Sequence, residues 1–185
     1  METQIINPAL LTNLYAIGIH GIEHSYRVYQ LIQKLCDLET ISKSERLQLE
    51  FCAFFHDIGR INDLVDITHG FKSFEKLEKY NFFGLNNFNN STVQYIIQNH
   101  CIDDKNAISN SKNYKLNKPE RAEFLILLFK DADGLDRFRL QDFDEKYLRI
   151  SRSSNLIDFA RKINDETYSH GFISNQIYSW IESIY

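Results

Sequence analysis

The chain has 185 residues, 43% of them hydrophobic and 14% aromatic, which is enough for one well-filled core and too little for two. Its formal charge of -4 at pH 7 and pI near 5.9 exclude a global basic field, so long nucleic acid held by charge is not expected, while small phosphorylated ligands remain open. Cys36, Cys52 and Cys101 form no C-x-x-C pair and read as reduced core residues; with no secretory pattern at the N-terminus and no apolar run near the roughly 20 residues of a membrane span, a soluble cytoplasmic protein without a membrane partner is expected.

In chain order, Asn7-Pro8 opens a short helix through Leu10, Leu11, Leu14 and Tyr15, with Gly18 as its stop. His20-Gly-Ile-Glu-His24 begins the next. From His24, steps of four, three and four residues reach Val28, Leu31 and Leu35, which places this histidine on the apolar stripe. His20 lies on nearly the same face, as a competing ligand or as a neighbour that orients His24. Ser42 and Glu45 have capping-box spacing, so a helix runs from there through Leu47, Leu49, Phe51 and Cys52 to His56-Asp57 and ends near Gly59. An adjacent His-Asp pair at a helix end can give one nitrogen and one oxygen ligand to a single divalent ion.

Residues Ile61 to Thr68 read as a loop, after which His69-Gly70 starts a helix carrying Phe74, Leu77 and Tyr80. His69 stands at the mouth of that helix, where an anion is favoured, and Lys72 and Ser73 lie one turn on. Gly84 to Asn90 is a turn. Ser91 and Gln94 have capping-box spacing, and Val93, Ile96, Ile97 and His100 form a third stripe that ends in a histidine. One inward histidine reads as a core residue bonded to a carbonyl. Several on successive helices are costly unless each nitrogen has a partner, and a metal partners all of them at once.

Asp103 to Lys118 is polar and reads as a surface loop, either a gating flap or a disordered insertion. Pro119 starts a helix whose Phe124-Phe129 segment is apolar all round, as in a central buried helix. It ends in Asp131, Asp133 and Asp136. Three acids there oppose the helix dipole and one another unless a metal, or Arg137 and Arg139, compensates. Periodicity alone leaves the choice between Asp131 and Asp133 open. Two more amphipathic patterns follow, Leu156-Phe159-Ala160-Ile163 and Ile177-Trp180-Ile181-Ile184, with His170 between them as a surface turn residue. No alternating strand pattern is present, so the expectation is an all-α, single-domain helical bundle over 1–185, with a metal-site core at about 20–140 and packing helices over 141–185.

These motifs together resemble the HD-domain superfamily of metal-dependent phosphohydrolases. The resemblance runs from about His20 to Leu140 through His24-Ser-Tyr-Arg-Val, His56-Asp57-Ile-Gly-Arg, His69-Gly, the helix-ending His100, and Asp-Ala-Asp133-Gly-Leu-Asp. It implies that His24, His56, Asp57 and Asp133 hold one metal, choosing Asp133 over Asp131, and that His69 and His100 hold a second metal or act on the substrate phosphate. Asp57, His69 and His100 would then be the catalytic residues. Many members follow the last aspartate with a basic residue where this chain has Gly134, so Arg60, Lys72 or Arg27 would supply the substrate contact, unless Arg27 is held in an internal salt bridge. The implied cofactor is one or two divalent transition-metal ions, Mn, Fe, Co, Ni or Zn, with Mg admissible at a second site. The implied activity is hydrolysis of a nucleotide or other small phosphate ester by metal-activated water. The alternatives are a di-iron oxygenase of the same fold and a non-catalytic signalling or interaction module. A homo-oligomer is left open.

Overall fold

The structure is a computed structural model that describes residues 11, 13–16, 18–79 and 90–183. Among these, every regular element is helical, as the patterning predicts. The α-helices are α1 (Ile22–Leu38), α2 (Lys43–Phe55), α3 (His69–Lys79), α4 (Asn90–Asn99), α5 (Asp104–Asn110), α6 (Pro119–Leu135), α7 (Ile157–Asn164) and α8 (His170–Ser183). Short 3-10 turns join them at Ser111–Asn113, Asp136–Leu140, Glu145–Tyr147 and Ser151–Leu156.

Local signals start these helices and apolar stripes dock them. Before α2, Glu45 N-H donates to Ser42 Oγ at 3.3 Å while Ser42 N-H donates to Glu45 Oε2 at 2.8 Å, which completes the capping box. Pro119 is the first residue of α6, where its missing N-H has no helical partner to lose. The stripe His24, Val28, Leu31 and Leu35 of α1 is buried. Its Val28, Leu31 and Leu35 join Phe51, Phe54 and Phe55 of α2 and Ile126 and Phe129 of α6 in one cluster, each such fully buried apolar side chain contributing about 1.5–3 kcal/mol. α1 packs on α2 and α6, α4 packs on the same two, and α3 lies on α4. α7 and α8 pack on α1.

Two glycines let α3 approach closely. A Cβ on Gly59 would stand 2.2 Å from the Ser73 nitrogen, and one on Gly70 would stand 2.4 Å from the Ile97 carbonyl oxygen. Neither contact tolerates a side chain. Gly59 N-H also donates to Ser73 Oγ at 2.9 Å. The first residue of α3, His69, is thereby held against both the His56-Asp57 turn and the end of α4.

Several sequence expectations are corrected. Within Asp103–Lys118 the structure has α5 and a 3-10 turn rather than a loop. Asp103 caps α5 by accepting from Asn106 N-H at 2.9 Å, and Ala107 is its buried contact; a single apolar anchor in a polar segment leaves no stripe to read. α4 already includes Asn90, so Ser91 lies inside the helix. His170 begins α8 and pairs with Glu23 at 3.2 Å. Cys36 and Cys52 are buried, but Cys101 is half-buried beside the histidines rather than in the core. Asn7, Pro8, Leu10, Tyr80, Ile184 and the expected turn up to residue 89 lie outside the described residues.

Candidate metal centre

The residues singled out in the sequence converge on Asp57, which is buried at the end of α2. Its two oxygens face two different sets of imidazoles. Oδ2 lies 3.6 Å from His24 Nε2 and 3.7 Å from His56 Nε2, whereas Oδ1 lies 2.9 Å from His69 Nε2 and 3.4 Å from His100 Nε2. Within the sets the nitrogens are 3.1 Å apart for His24 and His56 and 2.8 Å apart for His69 and His100. Asp133 Oδ1 adds a further oxygen 3.3 Å from His24 Nε2. Two ligand atoms each about 2.0–2.2 Å from one ion are separated by about 2.8–3.6 Å in octahedral or tetrahedral arrangements. All the observed spacings fall in that range except the 3.7 Å between His56 Nε2 and Asp57 Oδ2, which lies just above it.

The orientation of the rings decides which atoms face one another. His56 Nδ1 lies 3.1 Å from the Ala53 carbonyl, His100 Nδ1 lies 2.7 Å from the Ile97 carbonyl, and His69 Nδ1 bonds the Asp66 carbonyl. His24 Nδ1 lies 2.7 Å from Asp136 Oδ2. Carbonyls and carboxylates only accept, so each Nδ1 carries a proton and each ring, in its neutral form, turns its Nε2 lone pair inward. Lone pairs 3.1 Å apart beside Asp57 Oδ2 and 2.8 Å apart beside Oδ1, the latter oxygen buried with no hydrogen-bond partner, form a donor set that fits a cation. His24-His56-Asp133 and His56-Asp57-His100 each group closely enough to hold a metal ion.

Electrostatics agree with that arrangement. Burial pushes the Asp57 carboxyl up, but His56, His100, His20 and His69 outweigh it and hold the group well below the usual carboxylate range. Burial likewise opposes ionisation of Asp133, and His24 overcomes it. For His56 burial dominates and lowers the imidazole to about 3, which keeps the ring neutral as a ligand must be. His24 is the exception: burial and Arg139 lower it, yet the Asp133 and Asp136 carboxylates leave it raised, so without a cation this ring gains a proton more readily than a free imidazole.

The three acids at the end of α6 have separate fates. Asp131 accepts from the backbone N-H of Arg149 at 2.9 Å and of Ile150 at 2.8 Å, and from Ser153 Oγ at 2.7 Å. Asp136 accepts from Arg27 Nε at 2.6 Å, from Arg139 Nη1 at 3.1 Å and from Asn164 Nδ2 at 3.1 Å. Only Asp133 is left for the centre, with its side chain 31% exposed.

The expected substrate contacts divide in the same way. Arg60 stands at the centre, its Nε 3.3 Å from Asp57 Oδ2. Arg27 does not: buried at 8% exposure, it is spent on Asp136, the salt bridge that the sequence reading held as its other fate. Lys72 is exposed and paired with Asp66 at 2.7 Å. His20 Nδ1 lies 3.2 Å from Asp57 Oδ2 and 3.3 Å from Arg139 Nη2. Sequence reasoning missed two participants. Asp136 orients His24, and its only signal was acidity at a buried helix end; Cys101 groups with His69 and His100, signalled by nothing except adjacency.

An HD-domain family model matches residues 21–137, which include His24, His56, Asp57, His69, His100 and Asp133 but not His20. The chain belongs to the HD-domain family. No curated protein and no solved structure gives a significant match. HD domains bind divalent metals and form a superfamily of metal-dependent hydrolase type, and the Nε2 and carboxylate atoms of this HD domain provide the groups that can hold such an ion. Its centre opens into a cleft of about 610 Å³ lined by His20, Asp57, Arg60, His69, His100 and Asp133. Among its described residues no helix is long and apolar enough to cross a membrane.

Proposed function

We propose that this HD domain is a metal-dependent phosphohydrolase of a nucleotide or other small phosphate ester, with two divalent ions per chain. The observation that carries the reading is the split of Asp57, with Oδ2 towards His24 and His56 and Oδ1 towards His69 and His100. When bound, the metal lowers the pKa of water towards neutrality and neutralises charge on phosphoryl oxygens. Asp57, ionised and buried, orients the attacking water by accepting from it. His24, His56 and Asp133 hold one half of the centre and His69 and His100 the other. Arg60 offers its guanidinium to the phosphate at the mouth of the cleft, taking the role of the basic residue replaced by Gly134. Imidazole and carboxylate together suit Mn, Fe, Co, Ni or Zn.

Elemental analysis of the purified protein beside its His56→Ala and His69→Ala variants tests this, followed by a phosphate-release screen with each metal found. The expected result is two equivalents per chain, one in His69→Ala, and phosphate released only by the loaded protein. Iron with oxygen consumption and no phosphate release would replace hydrolysis by oxygenase chemistry. Absence of metal under every condition would remove the reading.

A further inference from the structure

Gly134 is a helical glycine that the protein itself does not require. It follows Asp133 in the last turn of α6, and a positive φ occurs at Gly18 but not here. A Cβ on it would meet nothing within 4 Å, in contrast to Gly59 and Gly70, where backbone stands in the way. Glycine in a helix is less favourable than alanine, and no internal contact requires the bare backbone here.

What lies in front of Gly134 is a pocket of about 500 Å³ that begins at His100 and Asp133 of the metal centre, a volume within the roughly 300–1,000 Å³ of small-molecule sites. Its cations are already matched by acids: Lys130 with Asp104 at 2.7 Å, Arg149 with Asp104 at 2.8 Å and Asp131 at 3.2 Å, and Arg137 with Asp142. A polyphosphate chain would find no uncompensated charge in those pairs, whereas an uncharged group would find donors and acceptors. Tyr147 lines the same space with 65% of its surface exposed; Lys146 Nζ lies 4.8 Å from its ring centroid on one side, and the other face gives a planar group something to stack on.

We propose that this pocket receives the uncharged, ring-bearing organic half of a phosphomonoester, of nucleoside size, lying over the bare backbone of Gly134 and against Tyr147 while its phosphate sits at the metal centre. The substrate class rests on the hydrolase reading above. The pocket can be tested without turnover.

The test is calorimetric titration of the protein as purified with two phosphonates that cannot be hydrolysed, methylphosphonate and the phosphonate analogue of a purine nucleoside monophosphate. Wild type is expected to bind the nucleoside analogue at least tenfold more tightly than methylphosphonate. Gly134→Leu is expected to cut that ratio at least tenfold, with its Tm not below wild type, and Gly134→Ala to raise Tm by about 2–4 °C. Equal affinities in wild type, or an unchanged ratio in Gly134→Leu, would overturn the inference. Selective binding without phosphate release from the nucleoside monophosphate itself would leave the pocket standing and remove the hydrolase reading.

Discussion

Asp136 stands outside the ring of inward-facing nitrogens, yet it controls one of them. Its carboxylate accepts a hydrogen bond from His24 Nδ1 and is itself held by Arg27, Arg139 and Asn164. Burial opposes its ionisation, and His24 and Arg27 together lower it all the same. Asp136→Asn leaves Arg27 buried without its counter-charge, a change that costs about 3–5 kcal/mol, to be read from urea unfolding. The same substitution frees the His24 ring and is expected to weaken metal binding by about 10–100-fold in a competition titration. Unchanged metal affinity in a variant of reduced stability would reduce Asp136 to a structural role.

At the scale of elements, the centre depends on how tightly α3 is pressed between the end of α2 and the end of α4. Gly59→Ala places a methyl group against the Ser73 backbone, which a helix cannot yield as a flexible side chain would. A destabilisation of about 1–3 kcal/mol is expected from such overpacking, with loss of the metal equivalent assigned to His69 and His100 and retention of the other. The start of α2 carries a pH-dependent term. Arg121, whose Nε lies 2.7 Å from Glu45 Oε1, and the Ser42 bonds hold Glu45 at about 2 against burial and against its ordinary value of 4.5. Because the folded-state value is depressed, this stabilisation is complete above pH 4.5 and is lost as pH falls towards 2. The stability difference between wild type and Glu45→Gln, measured on metal-free protein, is therefore expected to be constant near neutrality and to close across that interval.

For the whole molecule, the question is whether α7 and α8, which follow the residues 21–137 matched to the family, belong to the same cooperative unit. Ile173, Ile177 and Ile181 of α8 are buried in the cluster that contains Phe54 and Phe129. Trp180 Nε1 donates to Glu50 Oε2 of α2 at 2.7 Å, a buried bond between chain segments 130 residues apart. Trp180 is the single tryptophan of the chain, so its fluorescence reports α8 alone while far-UV circular dichroism reports all the helices. Unfolding followed by the two signals is expected to coincide in midpoint and slope, as for one cooperative unit. An earlier fluorescence transition would show α8 to be an appendage to the bundle that carries the metal centre.

Local interactions alone account for the features that could be read before the fold was known. The capping box at Ser42, Pro119, the stripes of α1, α2, α7 and α8 and the all-round apolar segment of α6 were legible because caps and 3.6-residue periodicity act within a few positions. The same periodicity turned His24 and His100 inward. Tertiary structure decided what depends on distant partners. Asp131 and Asp133 are equivalent by spacing, and only the approach of Arg149, Ile150 and Ser153 removes Asp131 from the centre. Arg27 became a structural cation because the fold puts Asp136, 109 positions away, beside it. α5 went unread because its one buried contact, Ala107, acquires meaning only once the Tyr95 hydroxyl of α4 donates to its carbonyl at 3.0 Å. A side chain's local pattern sets the direction in which it points, and the chain brought alongside it sets what it meets there.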